Sequence, residues 1–269
     1  MTQKTNPPDA DLRKLLANEN FPLSSKYDPQ WVLANEMGPN ALWLTEWLCR
    51  DMDLRPGMRV LDMGCGKCLS SVFLAREFGV QVWATDLWIK AADNWQRIRE
   101  AGLEDQIFPI HAEAHSLPYA HEFFDAIVCV DSYVYYGTAD LYLDYFVKFV
   151  KPSGQIGIVV PGLVRDFDFD KVPEHLTREH DGRAFWDQEC WYFHTPQWWR
   201  RLWGRTGLVD VEVAELMPDG WRAWLQFYKA RDAGQNRTPS ASDIPALEAD
   251  QGQYLGFVRM ISRRKGEHE

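Results

Sequence analysis

A chain of 269 residues, 46% hydrophobic and 25% charged, has the balance of a globular protein with a substantial core, built as one enlarged domain or two small ones. Its formal net charge of −10 removes the phosphate attraction that supplies most nucleic-acid affinity, so DNA and RNA are not expected as partners. No apolar run approaches the ~18–20 residues needed to span a bilayer, and the start MTQKTNPPDADLRKLL lacks the apolar stretch of a secretory signal. Stable membrane insertion is therefore not expected, and the five cysteines read as free thiols in a reducing cytoplasm.

Residues 1–30 are polar, punctuated by Pro7, Pro8, Pro22 and Pro29, and read as part of an N-terminal arm with one short helix over Asp11–Asn18. Asn40–Cys49 has the spacing of a helix with one apolar face. Strands and helices then alternate: strand Met58–Met63, helix Leu69–Glu77, strand Val80–Asp86, helix Ile89–Glu100, strands Ile107–His111 and Phe124–Val130, helix Leu141–Phe149 and strand Gln155–Val160. Lys151-Pro152-Ser153-Gly154 reads as the stop of the last helix. Strands joined by helices of this length predict right-handed βαβ units in a doubly wound, mostly parallel α/β sheet, seven-stranded with helices on both faces. The division expected is an arm or lid over 1–39, a core over 40–162, an aromatic-rich cap insertion over 163–200 and the rest of the core over 201–269. In that last part Pro196–Arg205 reads as a helix, Val209–Val213 and Tyr254–Ser262 as strands, Trp221–Ala230 as a helix, and Asp232–Asp243 as a loop. The basic run Arg259–Lys265 reads as a solvated tail.

The chemistry concentrates where the first strand ends. Val60-Leu61-Asp62-Met63-Gly64-Cys65-Gly66 runs a strand into a glycine turn and then a helix, where a side chain would strike a ligand lying across the strand end. Asp86 closes the second strand, where a carboxylate can accept from both hydroxyls of a ribose. Glu113 follows the third strand, just before Ala114 and the Leu117-Pro118-Tyr119 turn. A nicotinamide enzyme would share the second-strand aspartate, but it would want a third glycine at the position of Leu69.

The ordered set VLDMGCG, ATD, AEAHSLPY and FDAIVCVDS resembles the class I (Rossmann-like) S-adenosylmethionine-dependent methyltransferases, closely over residues 40–160, within their branch acting on small molecules and lipids. The resemblance implies S-adenosylmethionine as cofactor. Asp62, Gly64, Cys65 and Gly66 would lie against its methionine half. Asp86 would hold the ribose hydroxyls, with Leu87 packing on the adenine. Glu113 and Ala114 would flank the adenine on its other side, and Asp131 would stand near the sulfonium and the acceptor. Cys68 replaces a frequent third glycine, and Glu113 stands where the family usually has aspartate.

Methyl transfer to a hydroxyl or carbon acid calls for proton removal, for which Asp131, His115 and His194 are the candidates. Tyr27, Tyr133, Tyr136 and Trp191 are candidates for contact with the acceptor. The aromatic run Phe185–Trp203 reads either as a packed cap helix or as an apolar, cation-attracting wall. The bland reading of Cys65-x-x-Cys68 as buried thiols is preferred to a metal site, because no second cysteine pair or His-x-His accompanies it. The function expected is in-line transfer of methyl to a small molecule at nitrogen, oxygen or sulfur. C-methylation of a lipid or quinone-like ring, and a binding protein that senses the cofactor without turnover, are the alternatives. The pattern leaves the acceptor and the oligomeric state open.

Overall fold

The computed structural model describes residues 9–137, 139–235 and 243–266. Seven strands, β1 (Arg59–Met63), β2 (Gln81–Asp86), β3 (Ile107–His111), β4 (Phe124–Val130), β5 (Val150–Leu163), β6 (Val209–Leu216) and β7 (Leu255–Arg264), form one sheet in the order β3-β2-β1-β4-β5-β7-β6. The helices are α1 (Asp9–Leu15), α2 (Pro29–Asn35), α3 (Ala41–Cys49), α4 (Leu69–Phe78), α5 (Ala91–Glu100), α6 (Ala139–Phe146), α7 (Glu174–Thr177), α8 (Pro196–Arg205), α9 (Gly220–Gln235) and α10 (Asp243–Asp250). β3, β2, β1, β4 and β5 pair in parallel, and β1 and β4 are buried almost along their length, as strands covered on both faces must be. The chain builds outward from β1 to β3 and then returns to place β4 on the other side of β1. That reversal opens a crevice at the carboxyl ends of β1 and β4.

The described residues fall into two compact units. One, drawn from Ala41–Val160, Pro196–Glu215 and Arg259–Glu269, holds β1–β4 and α3–α6 with α8. Its core includes Tyr133, whose ring meets those of Trp199 and Trp203 on α8 at centroid distances of 5.9 and 5.5 Å. The basic run near the C-terminus belongs to β7 and is fully engaged, not a solvated tail. Arg259, 5% exposed, pairs with the Trp47 carbonyl, Asp51 and Glu215. Arg263 pairs with Glu212 and Asp53, Arg264 with Glu122, and Lys265 with Asp210.

The other unit is drawn from Met1–Asn40, Pro161–Thr195 and Leu216–Val258. Here the expected arm is two helices, α1 and α2, packed against α9. Asn18 donates to Gln226, whose amide donates in turn to the carbonyls of Leu15 and Ala17. α2 starts where Asp28 accepts from Trp31 N at 2.8 Å with Pro29 in the first turn, an N-terminal signal present in the sequence and not used there.

Three further boundaries differ from expectation. β5 begins at Val150, because Lys151-Pro152-Ser153-Gly154 forms an irregularity inside the strand instead of a stop: Phe124 pairs with Val150 and Ala126 with Gln155, so extra residues are looped out. Helix α9 runs on to Gln235 and α10 begins at Asp243, which leaves only residues 236–242 of the expected loop, and these lie outside the described residues. α10 has little amphipathic pattern of its own; it is held by Asp250, which is fully buried and accepts from His175, Tyr254 N and Leu255 N.

Candidate functional site

Residues 63–69 turn the chain from β1 into α4. Gly64, Gly66 and Cys68 all have left-handed backbone, with φ of 75°, 52° and 65°. Glycine adopts that conformation freely, whereas Cys68 does so as the residue capping α4, where a side chain is strained. At Gly64 the steric reason differs from the one expected. A Cβ there would stand 2.2 Å from Ser132 Oγ and 2.7 Å from the Tyr136 hydroxyl, so glycine is required by the chain's own β4 loop. The turn is tied to β2 through Gly64 N and Cys65 N, both donating to the Thr85 carbonyl.

Asp86 completes this anchorage. Its Oδ2 accepts from Gly66 N at 2.8 Å, and its Oδ1 accepts from Trp88 N at 2.7 Å and Ile89 N at 2.8 Å. One carboxylate thus fixes the glycine turn and the loop after β2 together, with acceptor capacity left on Oδ2. Asn94 on α5, 1% exposed, donates to the Gly66 carbonyl at 2.9 Å. Sequence reasoning passed over Asn94; its signal was a polar side chain in helical phase with buried Ile98.

Asp62 is fully buried at the end of β1. Ser70 and Ser71 of α4 both donate to its Oδ2, at 2.6 and 2.5 Å, while its Oδ1 has no donor among the described residues. Burial raises its pKa to about 6, against the lowering effect of the two serines. Burial also pushes the Cys65 thiol well above its usual range, with further upward contributions from Cys68 and Asp62. Protonated thiols of this kind bind metal poorly. Among the described residues no group of three or more His, Cys, Asp or Glu is placed to hold a metal ion.

At the end of β4, Asp131 adopts a left-handed φ of 53° and its N–H donates to the Val159 carbonyl of β5. Aspartate tolerates this region better than most residues, and such backbone clusters at functional sites. Ser132, which sequence reasoning missed, donates to the Met63 carbonyl at 2.9 Å and shares a hydrogen bond of 2.9 Å with the Tyr136 hydroxyl. Tyr136 therefore sits on the glycine turn, and burial holds its hydroxyl well above the ordinary phenol range, in the neutral state. Tyr133 does not join it as a ligand contact. Its ring is 1% exposed inside the aromatic core and touches that of Tyr136 at 5.9 Å, as residues three apart in a 3₁₀ turn do.

Beyond β3, Glu113 and His115 engage each other. Glu113 Oε1 meets His115 Nδ1 at 2.7 Å and Oε2 accepts from His115 N at 2.8 Å, which lowers the pKa of Glu113. Each carboxylate oxygen thus has one contact with His115 and, like Asp86 Oδ2, keeps acceptor capacity for a ligand. The Ala114 carbonyl accepts from the buried Tyr142 hydroxyl at 2.8 Å, which fixes this turn on α6. Leu87 is exposed.

Three candidates belong to the other unit. Tyr27 is buried, its ring stacked on Trp31 at 5.8 Å, and so packs as core. Trp191 is 64% exposed in the 3₁₀ turn Gln188–Tyr192. His194 stacks on Phe169 at 6.4 Å, and burial lowers its pKa to about 4 although Asp166 acts to raise it. Phe167 stands among Phe169, Trp186 and Tyr254, with ring centroids 5.0–5.4 Å away. The guanidinium of Arg165 covers the other side of Tyr254 at 4.3 Å.

The family model described as a methyltransferase domain matches residues 60–154, the stretch from β1 to the start of β5. Methyltransferase GfsG of Streptomyces halstedii is 32% identical over 129 residues, covering 46% of this chain and 46% of its own length. The chain spans about a third to a half of the length of curated relatives it matches. Among solved structures, phosphoethanolamine N-methyltransferase 2 of Haemonchus contortus in complex with S-adenosyl-L-methionine superposes with a TM-score of 0.69 at 17% identity, covering 95% of this chain and 60% of that one. The [4+2]-cyclase SpnF superposes with a TM-score of 0.64 at 18% identity, covering 86% of this chain and 85% of that one. At such identities the likeness is one of fold: the mostly parallel, Rossmann-like sheet of the class I methyltransferases.

Proposed function

We propose that this chain, whose residues 60–154 match a methyltransferase-domain model, transfers a methyl group from S-adenosylmethionine to a small molecule by in-line displacement. The observation that carries the reading is the double anchorage by Asp86, which couples the left-handed glycine turn to the loop after β2 at the sheet's point of reversal. The cofactor fits the donors and acceptors there. Asp62 Oδ1 is a buried acceptor without a donor among the described residues, suited to an ammonium group, and Asp86 Oδ2 retains capacity for a ribose hydroxyl. The carboxylates of Asp62, Asp86, Glu113 and Asp131 at the ends of β1–β4 or in the loops after them favour a cation.

S-adenosylmethionine, when bound, supplies a methyl carbon activated by positive sulfur. The chain's part is to hold and orient. Gly64 and Gly66 present backbone at the turn, α4 offers its N-terminus to a carboxylate, and Asp86 fixes the ribose side. Asp131 is the group best suited to take a proton from an acceptor, since it follows β4 directly at the crevice. His115 engages Glu113 through Nδ1, which leaves its Nε2 as a second candidate to take a proton. His194, with a pKa of about 4, is neutral at pH 7 and a weak base. The acceptor is a small molecule, with nitrogen, oxygen and sulfur all compatible. Among the described residues no helix is long and apolar enough to cross a membrane, and the cytoplasm remains the proposed location.

Calorimetric titration with S-adenosylmethionine and S-adenosylhomocysteine tests the reading. Wild type should bind both at micromolar concentration, and Asp86→Ala should lose at least roughly tenfold while stranding three backbone donors. Failure of wild type to bind either compound would overturn it. Cofactor binding with no S-adenosylhomocysteine formed from any metabolite pool would move the chain to a non-methylating role.

A further inference from the structure

Within the unit that holds the glycine turn, the large apolar side chains left exposed are Leu87, Trp88, Trp95 and Tyr135, among the described residues. Three of these four stand in the loops after β2 and β4. The strands they follow are not neighbours, since β1 lies between them. Adjacent strands are ~4.8 Å apart, so the ends of β2 and β4 are separated by roughly twice that. Yet the rings of Trp88 and Tyr135 come to a centroid distance of 5.6 Å, tilted by 60°. The two side chains reach toward each other across the end of β1, where the glycine turn begins.

Neither ring is there by default. Trp88 is 67% exposed, an arrangement that leaves a large apolar area in water. Its backbone is nevertheless fixed, because Trp88 N donates to Asp86, the carboxylate that also holds Gly66 N. Tyr135 N donates to the Ser132 carbonyl, and Ser132 is bonded to Met63 of β1. Both rings are thus borne on backbone tied to the turn itself. The carboxylates at or just beyond the ends of β1, β2 and β4 are Asp62, Asp86 and Asp131, and the cations in the loops after β1 and β2 are Lys67 and Lys90. Aromatic faces over a carboxylate-rich crevice are an environment for a positive charge with an apolar periphery.

We infer that Trp88 and Tyr135 form an aromatic clasp over the cofactor that favours its positively charged sulfonium form over the neutral thioether left after transfer. The inference rests on the functional reading above and adds to it a reason for the product to leave: loss of the charge removes the attraction of both rings. Methyl transfer itself gains nothing from the clasp in this account; binding order does.

Calorimetry on the full chain tests it with three ligands: S-adenosylmethionine, S-adenosylhomocysteine and sinefungin, which carries an ammonium in place of the sulfonium. Trp88→Leu and Tyr135→Leu keep apolar bulk and remove the aromatic face. Each should lower affinity for the two charged ligands by roughly fivefold, and for S-adenosylhomocysteine by less than twofold. Trp88→Phe and Tyr135→Phe should restore most of the preference. Unchanged affinities in the leucine variants would overturn the clasp while leaving the functional reading standing. An equal loss for charged and neutral ligands would also overturn it, since a general disturbance of the crevice acts on both. Wild type that binds none of the three would overturn the clasp and the functional reading together.

Discussion

In the turn of residues 64–66 the chain contributes mainly backbone: left-handed residues, amides tied to Thr85 and Asp86, and a glycine against which Ser132 and Tyr136 close. In residues 163–195 of the other unit it contributes side chains, with Phe167, Phe169, Trp186 and His194 gathered on irregular backbone and short 3₁₀ turns. A site made of backbone permits few residues at each position, because the wrong side chain is a steric or conformational error. A site made of packed rings permits many, because shape and polarity can be rebuilt from different side chains. The first arrangement suits a ligand that does not vary. The second suits one that does.

The strongest way to break this contrast is Gly64→Val. A β-branched residue at φ 75°, with its Cβ 2.2 Å from Ser132 Oγ, should destabilise the chain by about 3 kcal/mol or more in denaturant unfolding. Cofactor binding should fall below detection in the folded fraction. If Gly64→Val bound the cofactor normally, the backbone account of the turn would be wrong.

Asp62→Asn comes next, and its effect depends on pH. Because the folded-state pKa of about 6 lies above the ordinary 3.8, the folded protein holds this proton more tightly than the unfolded chain. Wild-type stability should therefore fall as pH rises from about 4 to 6 and stay lower above that. Asparagine does not ionise, so the variant should be more stable than wild type at pH 8, by at most about 3 kcal/mol and with a higher melting temperature, and match it near pH 4. The same substitution should weaken S-adenosylmethionine binding at pH 8. A variant with no gain in melting temperature at pH 8 would remove the ionised, buried Asp62 from the account.

Trp186→Leu sharpens the comparison from the other side. Trp186 is 9% exposed and loses ring contacts with Phe167, Phe169 and Phe193, so stability should drop by about 1–3 kcal/mol. Cofactor affinity measured by calorimetry should stay within about twofold of wild type. A rise in the acceptor's KM at unchanged cofactor affinity would assign the ring cluster to the acceptor.

The effect of His194→Gln is confined to acid pH. A folded-state pKa of about 4, below the ordinary 6.5, means that the unfolded chain takes up the proton first. Stability should then decline as pH falls from 6.5 toward 4, opposite in sign to the contribution of Asp62 over much of the same range. The glutamine variant should show a shallower acid decline in melting temperature. An unchanged slope would mean that His194 is as free to protonate when folded as when unfolded.

The strand–helix alternation, the glycine turn and the acids at the ends of the first two strands were legible because each has a local cause. Buried parallel strands demand continuous apolar runs such as Phe124–Val130, and a sharp turn demands glycine. Helix α2 was legible too, through Asp28 and Pro29, though the signal went unused. α10 was not, because what holds it is Asp250 meeting His175, 75 residues away in the chain. Likewise nothing near Tyr133 separates it from Tyr136: one is sealed against Trp199 and Trp203, the other is bonded to Ser132 above Gly64. The run Arg259–Lys265 looked like a tail because its acidic partners come from Asp51, Asp53, Glu122, Asp210, Glu212 and Glu215.

By itself, then, the sequence determined a mostly parallel α/β sheet and a turn whose backbone conformation only certain residues accept, since both follow from sterics and burial within a few residues. Tertiary structure decided what each carboxylate binds, which tyrosine faces the turn, and that Trp88 and Tyr135 meet across β1. Those outcomes depend on strand order, and strand order brings together side chains that no local rule of spacing relates.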